Sequence, residues 1–327
     1  MNRTLTESVK GKKVLFITTK NIDYIRNTQE IRILEEHAVS VDKIYSASKS
    51  YVKRILEVWK AVLNYKMAKT DVVFIGFSPQ LLLPFFFLGK FKKKTIVIDF
   101  FVSVYDTFVN DRKKFKRNGL LAGFSHWLDS YVIKKANHVI ADTEADKQYF
   151  RQEFGGHTAK FHTLHLEADK TVYYPREQKK QERLKDKFVV LYFGSILPLQ
   201  GVEIVLDAIR LLKEEEQIYF QMIGPIPKDY EKPIQNNVEY INWLSQEELA
   251  EYIANSDLCL AGHFCAEIDK AKRTIPGKAY IYASMQKAMI LGDNKANREL
   301  FEEDKKTQFV KMGDAAELSK KILSMCR

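Results

Sequence analysis

The sequence predicts an α/β protein made of two doubly wound, Rossmann-like domains facing each other across a cleft. Three observations carry that expectation. Short apolar runs alternate with helical patterns from one end to the other, an almost wholly charged segment at 176–187 (REQKKQERLKDK) interrupts them, and the alternation then restarts. With 327 residues, 46% hydrophobic and 12% aromatic, the chain is long enough for two cores of ordinary size. The charged segment sets the boundary, giving a first domain over 1–175 and a second domain over 176–327. The last helix is free to pack back on the first domain.

In the first domain KKVLFITT reads as a strand and residues 24–37 as a helix, followed by the strands DKIYSA, DVVFIGF, KKTIVIDFF and NHVIAD. The second opens with the strand FVVLYFG and the helix GVEIVLDAIRLLKEE. The strands IYFQMIG and VEYINW, the helix SQEELAEYIAN and the strand DLCLAG come next. A helix at Pro276, the strand AMILGD, a helix NRELFEE, the strand TQFVKM and a closing helix complete it. Continuously apolar strands separated by helices belong to parallel sheets covered on both faces. Ligands of such sheets sit beyond the carboxyl ends of the strands.

Residues 72–89, VVFIGFSPQLLLPFFFLG, carry no charge and approach the length of a membrane span. Pro79 and Pro84 interrupt any helix there, so a buried strand, a loop and a short apolar helix are expected instead. Such a helix can still lie on a bilayer. The net charge of +10 is concentrated nearby: residues 51–120 hold fourteen Lys and Arg against five acids. Solvated helix faces account for any single basic run. Clustered beside an apolar run, the cations also suit anionic headgroups, at about 1 kcal/mol per basic residue. Nucleic acid is not expected, because no recognition motif accompanies the charge. Three cysteines without a paired framework and a first segment without an apolar stretch point to a cytoplasmic protein, peripheral on the inner face of the membrane if the basic region docks.

The chain contains no G-x-G, no P-loop and no D-x-D. His263 and Cys265 lack two further ligands at workable spacing for zinc, and His263 is read as structural. What remains is anion chemistry. Gly194 and Gly201 bound a loop between strand and helix, where backbone can approach a ligand closely. Lys270, Lys272 and Arg273 are expected in a loop above a helix whose first turn holds Pro276, Gly277 and Lys278. Free N–H groups and a cation at a helix start form a clamp for a diphosphate.

Taken in order, the G-x3-P-x2-G loop, SDLCLAG, the cationic stretch, P-x-K, AMILGDN and REL resemble the carboxyl-terminal domain of GT-B glycosyltransferases, family 4 in particular. The resemblance covers about 187–310, and extends more loosely to DFFVSVYDT, ADTEADKQYF and TVYYP. It implies a retaining, metal-independent transfer of sugar from a nucleotide-diphospho-sugar to a glycan or lipid-linked cell-envelope acceptor, with no further cofactor. On this resemblance Gly194, Ser195 and Gly201 lie under the diphosphate. Pro276 and Lys278 start the clamp helix, with Lys272 and Arg273 reinforcing it, and Lys278 also stabilises the leaving group. Glu299 makes a polar contact and Glu267 is a candidate for the sugar. In the first domain Asp99 and Asp106 are the candidate catalytic carboxylates, with Ser103, Asp142 and Glu144 nearby; Thr143 can equally cap a plain helix. The chain departs from the family pattern at Ser195 and Gln200, where a basic pair is common, and at Arg273 and Ile281, where two glutamates are common. These departures leave an alternative, a catalytically silent GT-B protein that binds a glycan or a partner enzyme.

Overall fold

A computed structural model describes residues 3–155, 160–195 and 197–327. It divides into two compact units, Met1–Glu167 and Ala168–Arg327. Each unit is a six-stranded sheet whose hydrogen-bonded neighbours are all parallel.

The first sheet contains β1 (Lys13–Thr18), β2 (Ser40–Ile44), β3 (Val72–Phe77), β4 (Thr95–Asp99), β5 (His138–Ala141) and β6 (Lys160–Thr163), in the order β2-β1-β3-β4-β5-β6. The central strands are buried along their length, which matches their unbroken apolar sequence. The edges read less clearly. β2 begins two residues before DKIYSA because its polar residues face solvent and pairing to β1 fixes its register. β6 has only four residues, KFHT, three of them polar, so its sequence did not announce a strand.

The second sheet contains β7 (Phe188–Phe193), β8 (Ile218–Ile223), β9 (Val238–Ile241), β10 (Leu258–Gly262), β11 (Ala288–Gly292) and β12 (Thr307–Val310), in the order β12-β11-β10-β7-β8-β9. The closing helix Ala315–Cys326 buries Leu318 and Ile322 in this unit's core, beside the helix Val202–Leu211. NRELFEE does not form the expected helix. Asn297 spends its amide on the carbonyl of Gly292 (2.8 Å) and Arg298 turns back to Asp293, leaving only a 3-10 turn over Asn297–Glu299.

The charged segment 176–187 is pinned to the second unit. Gln178 reaches Asp257 (3.0 Å), Lys180 pairs with the same carboxylate, and Arg183 forks onto Glu239. The uncharged run 72–89 breaks up as its prolines require, into β3, a 3-10 turn Pro79–Leu81, a short helix Leu83–Phe86 and a wider turn Phe87–Phe91. Among the described residues no helix is long and apolar enough to cross a membrane.

β5 and β6 meet through a buried histidine pair. His138 Nδ1 lies 2.9 Å from His162 Nε2, with the rings stacked. Burial, then the neighbouring Lys160, lowers His138; burial, then His138, lowers His162 to about 4. Both rings are neutral in the fold and protonate near 6.5 once unfolded, so the stability they contribute is complete above that pH and is lost as pH falls toward 4. Urea midpoints are expected to drop between pH 7.5 and pH 5, and His162→Phe should flatten that drop. Parallel pH profiles of the two proteins would contradict the assignment.

Candidate functional site

A parallel sheet opens a crevice where its strand order reverses, because the connections on the two sides leave in opposite directions. In the second unit that point lies between β7 and β10. β7 runs out at Gly194, and a 3-10 turn Pro198–Gln200 leads to the helix Val202–Leu211. Gly201 holds φ +64, and a Cβ there would stand 2.5 Å from the amide nitrogen of Cys265. Backbone conformation and close packing therefore both require glycine.

Lys278 is the centre of this region. The helix Gly277–Ser284 starts just after Pro276, whose backbone is extended, so Gly277 and Lys278 occupy the first turn with N–H groups that lack intrahelical acceptors. The Lys278 side chain is only 5% exposed. Its Nζ lies 3.7 Å from the centroid of the Tyr192 ring and 5.7 Å from that of Phe193, and has no hydrogen-bond partner among the described residues. Burial holds its pKa well below the ordinary lysine range. Ring faces attract the ammonium by up to about 2 kcal/mol, but they cannot accept three N–H bonds.

Gly194 completes the arrangement. A Cβ at this position would sit 2.7 Å from Gln200 Oε1 and 3.2 Å from Lys278 Nζ. Gln200 accepts a hydrogen bond from the Tyr192 hydroxyl (3.0 Å), which fixes both side chains around the glycine. His263, after β10, is buried and held neutral, its pKa pushed down to about 3 by burial and then by Lys278. Its Nδ1 lies 3.4 Å from Thr274 Oγ1. A neutral imidazole beside the ammonium adds no competing charge.

The remaining predicted clamp residues are distributed differently. Lys270, Lys272 and Arg273 lie in a short helix, Asp269–Arg273, rather than a loop. Its residues are good helix formers, and Asp269 binds Lys272 three positions on (3.0 Å). Lys272 and Glu267 are exposed, Arg273 is half-buried, Ser195 is exposed and Glu299 ends the 3-10 turn. Ile281 is half-buried on the clamp helix. Gly194 and Lys278 are thus brought together with Tyr192 and Gln200, while Glu267 and Lys272 face solvent. Ile196, inside the glycine-bounded loop, lies outside the described residues. Tyr192 and Phe193 were legible only as strand residues; an aromatic pair ending a strand before glycine is the signal that could have marked them.

The first unit encloses both Asp99 and Asp106. Asp99 is 1% exposed and accepts from Arg26 through both oxygens, Nε at 3.1 Å and Nη2 at 3.0 Å. Arg26 also donates to the Leu164 carbonyl and has Glu30 at 3.5 Å and Asp142 at 3.9 Å. Burial opposes its charge, but Asp99 and Glu30 more than offset that, so the guanidinium stays charged. Burial, then Asp99, pushes Glu30 well up. Asp106 is also 1% exposed and accepts from Asn110 (3.0 Å). Thr143 caps the helix Glu144–Phe154 by accepting from the Asp146 amide (3.0 Å), and Glu144 pairs with Lys147. Asp129, which sequence reading missed, gathers the loop after β4 by accepting from Gln80, Ser103 and the Tyr105 amide. Both predicted carboxylates are buried, Asp99 against Arg26 and Asp106 beside Asn110.

Residues 187–327 match the sequence model of the family described as Glycosyl transferases group 1. A Klebsiella pneumoniae protein described as an uncharacterized 41.2 kDa protein in a cps region is 22% identical over 257 residues, spanning 72% of this chain and 69% of that one. Among solved structures, sucrose-phosphate synthase from Thermosynechococcus elongatus aligns with a TM-score of 0.66 at 11% identity, covering 96% of this chain and 90% of its own. HepE of Anabaena, solved in complex with UDP-glucose, aligns with a TM-score of 0.62 at 16% identity, covering 96% and 89%. At these identities the likeness establishes the fold, which is GT-B.

Two substitutions separate the roles assigned above. Lys278→Met removes a buried cation without a partner and should stabilise the ligand-free protein by about 1 kcal/mol in urea unfolding. Asp99→Asn strands Arg26 and should cost about 3 kcal/mol or more by the same measurement. An Asp99 variant of unchanged stability would contradict that pairing.

Proposed function

We propose that this chain, a glycosyltransferase with a group 1 glycosyl transferase domain over residues 187–327, moves a sugar from a nucleotide-diphospho-sugar to a glycan or lipid-linked acceptor of the cell envelope, with retention and without a metal ion. The observation that carries this reading is the buried Lys278 ammonium with no hydrogen-bond partner among the described residues. Leaving such a group unsatisfied costs several kcal/mol unless something arrives to pair with it. A diphosphate oxygen does so, and Gly194 is the residue whose missing Cβ leaves Nζ approachable.

In the transfer, the acceptor hydroxyl oxygen bonds to the anomeric carbon on the face from which the diphosphate departs. The bond from that carbon to the diphosphate oxygen breaks, and the departing diphosphate takes the hydroxyl proton. Lys278 keeps its proton throughout and stabilises the charge that grows on the leaving group. Its ammonium and the first N–H groups of the clamp helix fill the part a metal ion plays elsewhere. A UDP-sugar is the first donor to test, because HepE of Anabaena was solved with UDP-glucose. The cps region named for the Klebsiella pneumoniae relative supports a cell-envelope acceptor. The cation excess of residues 51–120 supports work at the inner face of an anionic membrane.

UDP should raise the melting temperature, and Lys278→Ala should weaken UDP binding roughly 10- to 100-fold, the range for a hydrogen bond to a charged group. Binding needs the ammonium, so affinity should hold constant below the depressed Lys278 pKa. Above it, affinity should weaken by up to about tenfold per pH unit. Calorimetric titrations between pH 7 and 10 should show that slope in the natural protein and none in Lys278→Ala. No thermal shift with any nucleoside diphosphate at millimolar concentration would overturn the proposal.

A further inference from the structure

The first unit has its own reversal of strand order, between β1 and β3. A cavity of about 570 Å³ lies there, lined by residues just beyond the carboxyl ends of both strands, Lys20 after β1 and Phe77 of β3. This is the size of a small-molecule site and the place where a parallel sheet offers one. Its wall is mainly apolar, with Phe77, Leu81, Phe108 and Leu128 prominent. Gln80 also lines it, but its amide is spent on the Val102 carbonyl (2.9 Å) and on Asp129 (2.7 Å). Those bonds stiffen the wall and leave less hydrogen-bonding capacity for a sugar. Two cations line the same cavity, Lys20 and Arg112, and neither has a carboxylate partner among the described residues. Lys20 Nζ rests 5.4 Å from the Tyr24 and Phe77 ring centroids, contacts that leave its N–H groups free to meet an anion. An apolar chamber with two cations that lack carboxylate partners among the described residues fits an amphiphile with one anionic end.

The surroundings show where such a molecule comes from. Leu81 of the wall accepts a hydrogen bond from Trp59 Nε1 (3.0 Å), and Trp59 packs 4.5 Å from Phe85, which is 62% exposed. Leu88 beside it is 74% exposed. Leu128 lies on the helix Leu120–Lys135 next to exposed Trp127, which stacks on exposed Phe124 (5.7 Å) and contacts Tyr131 (5.6 Å). Lys135 joins the two patches, with Nζ 5.0 Å from the Phe87 ring and 5.7 Å from Tyr131. The elements that wall the cavity therefore carry exposed aromatic and aliphatic side chains within a basic region, a pattern suited to an anionic bilayer.

We propose that this cavity binds the acceptor, and that the acceptor is a glycan joined through phosphate to a lipid: its chain lies against Phe77, Leu81, Phe108 and Leu128, its phosphate meets Lys20 and Arg112, and a hydroxyl of its sugar is the group that reacts. This rests on the transferase reading and narrows its acceptor to the lipid-linked class. Farnesyl monophosphate, used below its critical micelle concentration, is the probe for the full chain, with farnesol and inorganic phosphate as controls. Calorimetry should show farnesyl monophosphate binding at least tenfold tighter than either control. Lys20→Ala/Arg112→Ala and, separately, Leu128→Arg should each weaken it about tenfold or more. Both variants should bind UDP as the natural protein does, which also shows that they fold, and Lys278→Ala should leave farnesyl monophosphate binding unchanged. Equal binding of inorganic phosphate, no binding of the farnesyl compound, or unchanged affinity in the variants would overturn the proposal. UDP binding with no farnesyl binding would reject the acceptor assignment alone, whereas absence of UDP binding would strike the transferase reading itself.

Discussion

A buried ammonium without a hydrogen-bond acceptor among the described residues is the constraint on which the second unit turns. Lys278 is placed by the start of its helix, shielded by Tyr192 and Phe193, and left reachable by the absence of a side chain at Gly194. Each of these features would be a defect in a protein selected only for stability. On the proposed reading they form a site prepared for an anion, in which desolvation strengthens the attraction to the ligand and weakens the empty state. Tyr192 and Gln200 contribute by holding one another, so the cation and its surroundings are set before the ligand arrives.

The first unit handles a buried cation in the opposite way. Arg26 is as deeply enclosed as Lys278, yet Asp99 meets it with two oxygens and Glu30, Asp142 and the Leu164 carbonyl surround it. A guanidinium met by a bidentate carboxylate in that way specifies structure. At the reversal of strand order, by contrast, Lys20 and Arg112 line an apolar chamber. Two sheets of the same kind thus carry cations of different purpose, and pairing distinguishes them better than burial does.

Much of the architecture was legible because parallel strands buried on both faces leave an unbroken apolar signal, as in VVFIGF or FVVLYF. The edge strands were harder: β6 is four residues, three of them polar, whose inward residue is a histidine. In the candidate site, Lys278 and the two glycines could be read because spacing in the chain fixes a helix start and a tight turn. The partners Tyr192 and Gln200 could not, since their role arises from contact across the turn. Asp99 shows the converse limit. An aspartate ending a strand looks the same in sequence whether it faces a ligand or an arginine 73 positions earlier.

The most direct test of the central claim is to observe the Lys278 amine itself, by lysine-selective NMR of the side chain as pH is raised, with and without UDP. Without ligand, its ionisation should occur well below the ordinary lysine range; with UDP bound, it should move upward as the diphosphate pairs with the charge. A Lys278 that titrates near 10.5 and does not respond to UDP would contradict the account.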